Sequence, residues 1–267
     1  MKNILLPTDF SGTSYNAAVF ALDLFGTKDV RYTLLNVFLK PAYRNFLMSL
    51  NVDTEQASRN GLRRMERRIR KLGGTMHLAL RSSFEPLDNA IGELHEAGRA
   101  DLVVMGTQGE GNYGTVGHNT ALAITGARVP VIAVPAQWIP GPVQRILLAD
   151  DGEGMDADMV RPLVQIAKRT KAHVEVVHVR PEGTDDRYSD RKALMKTLLT
   201  DVPHDFTLLT GSKVEEALDD LAMKQGAQLV AVVRRNRGII ERLLKGSHAK
   251  RMALHTAVPL LVLREAR

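Results

Sequence analysis

The chain contains one strand pattern twice, and this repetition constrains its fold more than any other feature. Residues 4–10 read ILLPTDF and return as ILLADDG at 146–152, while 128–134 read RVPVIAV and return as AVPLLVL at 257–263. The first and last strands of the two copies therefore match. A duplication of this kind predicts two copies of one fold, so any difference between the copies is a clue to function.

The length suits two domains of similar size. A chain of 267 residues is expected to form about two domains of roughly 100 to 150 residues each. Pro140, Gly141 and Pro142 form a short stiff linker between the copies. We therefore expect the domains to span 1–140 and 141–267.

The composition fits a reducing compartment or indifference to redox state. The chain has no cysteine, which excludes disulfides, thiolate metal sites and cysteine nucleophiles. No apolar run approaches the ~20 residues of a membrane span. The first predicted strand begins at residue 3, which leaves no room for a signal peptide. We expect a cytoplasmic protein with no membrane partner.

The net charge of +6 could indicate a nucleic-acid partner. Seven of the 36 basic residues lie in one arginine-rich segment, 59–71, which also contains Leu62, Met65 and Ile69 at helical spacing. These arginines are interpreted as the solvated face of an amphipathic helix, because the segment has no interleaved aromatic residues on which bases could stack. No nucleic-acid partner is expected.

Short apolar runs alternate with helical patterns in both copies. Strands are predicted at 3–7, 31–38, 75–80, 101–105, 130–134, 145–149, 173–179, 205–209, 228–233 and 260–263, and helices near 13–25, 54–72, 84–98, 118–127, 155–170, 189–200, 213–225 and 247–255. This order predicts an α/β fold of two tandem Rossmann-like domains, each a five-stranded parallel sheet with helices on both faces. In such a fold, ligands bind beyond the carboxyl ends of the strands, where the strand order reverses.

Polar residues follow the first predicted strand. Thr8 and Asp9 stand between this strand and the next helix. Asp9 has two interpretations at this stage. It can help to cap the helix, or it can accept a hydrogen bond from a sugar hydroxyl or a base amine at the end of the strand.

The fourth strand leads into a glycine-rich loop. Gly106, Gly109, Gly111 and Gly114 fall within nine residues, and the backbone amides of such a loop can form an anion nest. The next helix opens at 117–120, Gly-His-Asn-Thr, and its free N–H groups favour phosphate. Loop and helix start together predict a phosphate-binding site.

Two better-known phosphate motifs do not account for this loop. Residues 109–114 satisfy Gly-x-Gly-x-x-Gly, but they follow the fourth strand and no acidic residue stands about 20 positions later. The chain also lacks the Gly-Lys-Ser/Thr tripeptide of a P-loop.

These residues resemble the universal stress protein family in a tandem two-domain form. The family pattern is a first strand that ends in Asp and a Gly-x2-Gly-x9-Gly-Ser/Thr element after strand four. Asp9, Gly106 and Gly109 match it, whereas seven residues instead of nine precede Gly117 and His118 replaces Ser or Thr. The resemblance implies a site for ATP or another adenine nucleotide, with or without Mg²⁺. The cofactor-binding residues it implies are Thr8, Asp9, Val37, Met105, Gly106, Gly109, Gly117, His118, Asn119 and Thr120.

The second copy departs from the family pattern differently. It keeps Gly246-Ser247, but Val233 and Asn236 occupy the positions of the two earlier glycines. A β-branched valine cannot adopt glycine-only conformations, so the nest is expected to be lost. Three arginines crowd the same loop, and they could bind phosphate, contact the other half or face solvent: Arg234, Arg235 and Arg237. Asp150 and Asp151 would repel a triphosphate unless a divalent cation bridged them.

The leading functional hypothesis is a stress-response regulator that binds adenine nucleotide in its first domain only. The alternatives are an interaction module in which both sites are degenerate, and a slow ATP hydrolase that uses Glu110 and His118. No metal site is expected, because His173 and His178 point to opposite faces of a strand and the other histidines are scattered.

The two copies are expected to pair within one chain. Single-domain members of the family pair through their last strands, which here are 131–134 and 260–263. This pairing would cover two apolar sheet edges and make the chain an intramolecular pseudo-dimer. A homodimer and an unknown protein partner stay open.

Overall fold

A computed structural model describes residues 1–38, 54–107, 118–150, 154–180, 188–210, 214–234 and 258–264. The first half contains β1 (Asn3–Pro7), α1 (Gly12–Phe25), β2 (Arg31–Val37), α2 (Thr54–Arg70), β3 (His77–Ser83), α3 (Leu87–Glu96), β4 (Leu102–Gly106), α4 (His118–Gly126) and β5 (Val131–Val134). The second half contains β6 (Arg145–Asp150), α5 (Ala157–Thr170), β7 (His173–Arg180), α6 (Tyr188–Leu198), β8 (His204–Thr210), α7 (Val214–Gln225), β9 (Leu229–Arg234) and β10 (Leu260–Arg264). The predicted α/β class with two tandem Rossmann-like halves is confirmed.

The described strands form one sheet in the order β3-β2-β1-β4-β5-β10-β9-β6-β7-β8. The strands within each half are parallel, and the halves meet where β5 and β10 pair antiparallel, with Leu261 opposite Ile132. The predicted pairing through the last strands is therefore confirmed. It joins two apolar edges that would otherwise be open to other chains.

Apolar side chains cover both faces of the sheet. One cluster packs α1, α2, α5 and α6 against one face, with Ile4, Leu34 and Ile146 among its fully buried members. The other packs α3, α4 and α7 against the opposite face around Val103, Ile124 and Leu218. Both clusters include residues from both halves, so the apolar core continues across the β5–β10 junction.

Two elements of the first half differ from the sequence prediction by three residues at one end. β3 was expected at 75–80 but spans His77–Ser83, because its last residues are polar and pair with β2 as far as Val37 opposite Ser83. The helix expected at 84–98 spans Leu87–Glu96, because Pro86 is extended, with ψ 148°, and delays the start. The helix expected at 247–255 lies outside the described residues.

Two arginines of the second half bind helix ends of the first. Arg169 of α5 donates to the carbonyls of Leu24 and Phe25 at the end of α1, with 3.1 Å from Nε to the Leu24 oxygen. Arg234 of β9 donates to the carbonyls of Ile124 and Thr125 near the end of α4. Cations suit the carbonyl-rich ends of helices. Among the three interpretations of the arginine loop, Arg234 therefore contacts the other half, while Arg235 and Arg237 lie outside the described residues.

None of the helices in the described part of the chain is long and apolar enough to cross a membrane.

Candidate functional site

The strand order of the first half reverses between β1 and β4, which lie side by side with Leu5 opposite Val103. In a doubly wound sheet, a crevice opens beyond the carboxyl ends of the strands at such a reversal. We call this place the first-half crevice, defined by Val37 at the end of β2, Thr8 after β1 and Gly106 at the end of β4. All three are among the residues predicted to bind a cofactor.

Thr8 is held in place by hydrogen bonds on every side. Its backbone N–H donates to the Leu35 carbonyl at 2.8 Å, and its carbonyl accepts from Asn36 Nδ2 at 2.7 Å. Its hydroxyl lies 2.9 Å from Ser14 Oγ and accepts from the Phe10 N–H at 3.0 Å. Thr8 is buried, so its described role is to fix the turn that leaves β1.

Asp9 both shapes the turn and faces solvent. Its Oδ1 accepts from Ser11 N at 3.1 Å and from Ser11 Oγ at 2.6 Å. Ser11 is the N-cap of α1, and its side chain accepts from Ser14 N. The predicted capping role of Asp9 is thus indirect, because Asp9 orients the residue that caps. Its side chain is exposed at the crevice.

Phe10 follows in a conformation that is uncommon for a large side chain. Its φ is 69°, in the left-handed region that bulky residues avoid. Its ring packs so closely on Gly61 of α2 that a Cβ there would lie 2.4 Å from Phe10 Cε2. Strained backbone of this kind is concentrated at functional sites, and here it stands directly beside Asp9.

Gly106 is required by packing against α1. A Cβ at this position would lie 2.7 Å from Thr13 Cγ2 and 3.0 Å from the Thr13 carbonyl carbon. Met105, predicted to line a ribose, has a buried side chain in the α3–α4 core. At Met105, therefore, the side chain serves the core and only the backbone borders the crevice.

Thr107 is not among the residues predicted to bind a cofactor, but it has the most informative side chain at the crevice. It is 2% exposed, and its hydroxyl has no hydrogen-bond partner within the described part of the chain. Its backbone N–H donates to the Val134 carbonyl at 2.9 Å, which fixes its position after β4. A buried hydroxyl without a partner loses its hydration without compensation. The signal available in the sequence was its place inside the Gly-x2-Gly element.

The start of α4 is only partly described. Thr120 is buried, and its hydroxyl donates to the Gly106 carbonyl at 2.8 Å, which ties the helix start to the end of β4. Asn119 is exposed. His118 begins α4, whereas Gly109 and Gly117 lie outside the described residues.

The corresponding place in the second half contains different side chains. Register pairs Asp150 with His178 at the ends of β6 and β7, in the positions of Thr8 and Asn36. We call this place the second-half crevice. His178 Nδ1 lies 3.2 Å from Asp150 Oδ2, and both side chains are about 5% exposed. The His178 ring stacks on Tyr188, with 5.6 Å between ring centroids.

The last strands extend this correspondence. Val104 pairs with Ile132 as Ala231 pairs with Leu261, so Gly106 corresponds to Val233 and Thr107 to Arg234. The predicted replacement of the first motif glycine by Val233 is therefore confirmed. Val233 is 7% exposed and belongs to the apolar core. Asn236 and Ser247 lie outside the described residues.

Two solved structures align with nearly the whole chain. A universal stress protein from Archaeoglobus fulgidus DSM 4304 is 16% identical, with a TM-score of 0.69, and the alignment covers 99% of this chain and 98% of that one. A protein of unknown function from Pseudomonas aeruginosa PAO1 is 17% identical, with a TM-score of 0.62 and coverage of 99% and 92%. At these identities the likeness establishes a common fold. A search of curated proteins gave no match.

The fold and the crevice at its strand reversal define a tandem Rossmann-like α/β protein. The universal stress protein family matches residues 1–135 and again 142–264. The chain therefore belongs to the universal stress protein family, in a form that carries the family domain twice.

Proposed function

We infer that the first half binds an adenine nucleotide, that the second half does not, and that the protein acts as a cytoplasmic stress-response regulator through nucleotide occupancy. The observation that carries this proposal is the buried Thr107 hydroxyl, which has no partner in the described residues although it follows β4 at the strand reversal. A phosphate or ribose oxygen placed there would satisfy it. The boundaries that we propose for the two functional units are 1–140 and 141–267.

The residues of the first-half crevice suit the parts of an adenine nucleotide. Asp9 is an exposed carboxylate that can accept from a ribose hydroxyl or a base amine, and the backbone at Val37 lies on the next strand. Gly106 has no side chain of its own, and its backbone ends β4 at the crevice. The backbone of Gly109 and Gly117 and the start of α4 at His118, Asn119 and Thr120 would hold phosphates. Mg²⁺ bound with the nucleotide would neutralise part of the phosphate charge.

The second-half crevice is less suited to a nucleotide. Asp150 places a buried carboxylate where the first half has Thr8, and a carboxylate repels phosphate. Val233 adds a side chain at the position of Gly106. Arg234, at the position of Thr107, donates to α4 of the other half. We therefore expect one nucleotide per chain.

The test combines mass spectrometry of nucleotide released from the purified protein with calorimetric titration of ATP and AMP. Thr107→Val removes the hydroxyl while keeping the shape. It should weaken binding about tenfold, the worth of one hydrogen bond. The same change should leave the unliganded protein as stable or more stable, because a buried group without a partner is removed. Gly109→Val should abolish binding.

The control is Thr125→Val, which removes an exposed hydroxyl bonded to its own helix through the Ala121 carbonyl. It should leave affinity unchanged. Unaltered affinity in both Thr107→Val and Gly109→Val would contradict the site. Two nucleotides per wild-type chain would contradict the proposed difference between the halves.

We also expect binding without rapid turnover. The first half has no lysine in its glycine-rich loop, and catalysis requires groups that stabilise charge developing in the transition state. A metal-dependent ATPase rate above about 1 s⁻¹, ordinary for enzymes, would contradict this expectation. Glu110 and His118 would then be the residues to substitute.

A further inference from the structure

Three potential metal ligands meet on one face of the second half, away from both crevices. His173 opens β7, Glu175 follows two residues later on the same face, and Asp205 of β8 pairs directly with Glu175. One ligand atom from each side chain lies within 4.8 Å of the other two. His173 Nε2 and Asp205 Oδ2 are 3.2 Å apart. The crevices form at the carboxyl ends of the strands, whereas this cluster lies near the amino end of β7.

Glu175 gives the cluster its chemical interest. It is 6% exposed, and its Oε1 accepts from Thr207 Oγ1 at 2.5 Å. A buried carboxylate needs a compensating charge or strong hydrogen bonds. Among the side chains that the structure describes, no Lys or Arg pairs with Glu175 or with Asp205, and the nearby basic group is His173. With neutral His173, the two carboxylates carry the charge that one divalent cation balances.

The fold itself does not require these residues. By strand register, Arg31 corresponds to His173, Thr33 to Glu175 and Ala79 to Asp205. The first half thus builds the same strand pair with no carboxylate at these positions.

We propose that His173, Glu175 and Asp205 bind one divalent transition-metal cation of the Zn²⁺ class. An imidazole nitrogen with two carboxylate oxygens suits Zn²⁺ and its neighbours better than Mg²⁺ or Ca²⁺, which prefer oxygen ligands alone. Thr207 is not itself a ligand, but its hydroxyl donates to Glu175 and so fixes the orientation of that carboxylate. The Asp205 side chain is 74% exposed, so it is the ligand that can move to close the site. Water fills the remaining coordination positions.

The histidine pattern alone predicts no metal site, because it places His173 and His178 on opposite faces and the other histidines are scattered. His173 and His178 differ by five positions on one strand and therefore do face opposite ways. The proposed site instead combines a single histidine with one carboxylate of the same strand, Glu175, and one of the neighbouring strand, Asp205.

The experiment uses the full chain, freed of metal by chelation, and follows Co²⁺ by visible absorption and Zn²⁺ by competition with a chromophoric chelator. The wild type should bind one equivalent, with the absorption of a site of low coordination number. His173→Gln, Glu175→Gln and Asp205→Asn should each weaken Zn²⁺ binding tenfold or more. Zn²⁺ should also raise the melting temperature of the wild type and not that of Asp205→Asn, by ligand linkage.

Matched controls test whether Zn²⁺ binding depends on the three proposed ligands or would be weakened by the loss of any histidine or carboxylate. His77→Gln removes an exposed histidine from the first residue of β3, and Asp220→Asn removes an exposed carboxylate from α7. Both should bind Zn²⁺ like the wild type. Asp205 is exposed, so Asp205→Asn is expected to fold even if Glu175→Gln does not. Unchanged Zn²⁺ affinity in Asp205→Asn, or no stoichiometric binding by the wild type, would overturn the proposal.

Discussion

The two crevices occupy matching places in the two halves, but different chemistry holds their strand ends together. In the first half, the neutral Asn36 amide donates to the Thr8 carbonyl at 2.7 Å. In the second, His178 faces both the carbonyl and the carboxylate of Asp150, each at 3.2 Å. Strand register is the same in both halves, so these differences are confined to side chains. One backbone framework therefore supports a neutral pair of residues, Thr8 and Asn36, in the first half and an ionisable pair, Asp150 and His178, in the second.

The ends of β4 and β9 show the same contrast. Gly106 leaves room for Thr13 of α1, whereas Val233 fills the core with its own side chain. Thr107 has a hydroxyl without a described partner, whereas Arg234 reaches α4 of the other half. The first-half crevice therefore contains a hydroxyl that has no partner among the described residues. In the second half, the corresponding positions serve core packing and contact between the halves.

The largest expected effect on stability distinguishes the Asp150–His178 pair from the Thr8–Asn36 pair. His178→Ala would remove a buried ring and leave the Asp150 carboxylate without this partner, which should destabilise the protein by about 3 kcal/mol. Asn36→Ala, the matching change in the first half, loses one neutral hydrogen bond and should cost about 1 to 2 kcal/mol. Urea denaturation of both variants measures the difference. Equal losses would show that the ionisable pair is no more important than the neutral one.

The next expected effect tests the close approach at β4. Gly106→Val would place side-chain atoms where Thr13 lies and should destabilise the protein by about 2 kcal/mol through overpacking. Val233→Ala, in the second half, should cost a similar amount by leaving a cavity. Thermal unfolding measures both. Only Gly106→Val should also weaken nucleotide binding. An equal loss of nucleotide affinity in Val233→Ala would contradict the proposed difference between the crevices.

Much of this fold could be predicted from the sequence because its strands are apolar runs repeated in the same order. The pairing of 131–134 with 260–263 was implied by the resemblance to single-domain family members, which pair through their last strands, and the apolar character of both segments agreed with it. β3 was harder, since an edge strand with exposed polar residues such as His77 and Arg81 lacks an apolar run.

The site residues were harder to predict because a residue type does not reveal its neighbours. Gly106 suggested a phosphate nest, yet its tightest described contact is with Thr13. Thr107 looked like an ordinary loop residue, since nothing in the sequence shows that its hydroxyl is buried. The Asp150–His178 pair joins residues 28 positions apart, and only strand register brings them together.

A smaller effect is expected where the halves meet. Arg169→Gln should lose the bonds to the end of α1 and cost roughly 1 to 2 kcal/mol, less than a buried pair because the arginine is exposed.

Changing Arg234, Arg235 and Arg237 together to Ser should likewise lower stability while leaving first-half nucleotide affinity within a few-fold. Calorimetry and thermal unfolding distinguish these outcomes. A fall from two nucleotides per chain to one would instead place a second site in the arginine loop.

The smallest expected effect on stability at neutral pH concerns Tyr32, which has no tyrosine counterpart in the second half. Tyr32 is buried in β2, where the second half has Val174, and its hydroxyl donates to the Gly26 carbonyl at 2.5 Å. Burial raises the pKa of Tyr32, and nearby Arg169 opposes this in part. Tyr32→Phe should cost about 1 kcal/mol at pH 7.

The difference between Tyr32 and Phe should depend on pH in one direction. Because the folded pKa lies above the unfolded value of about 10, the unfolded chain releases this proton first as the pH rises. The stability from protonated Tyr32 is complete below about pH 10 and declines above it, by at most about 1.4 kcal/mol per pH unit. Urea denaturation between pH 8 and about pH 11 should show a steeper alkaline loss for the wild type than for Tyr32→Phe. Parallel curves would mean that Tyr32 ionises as readily in the folded protein as in the unfolded chain.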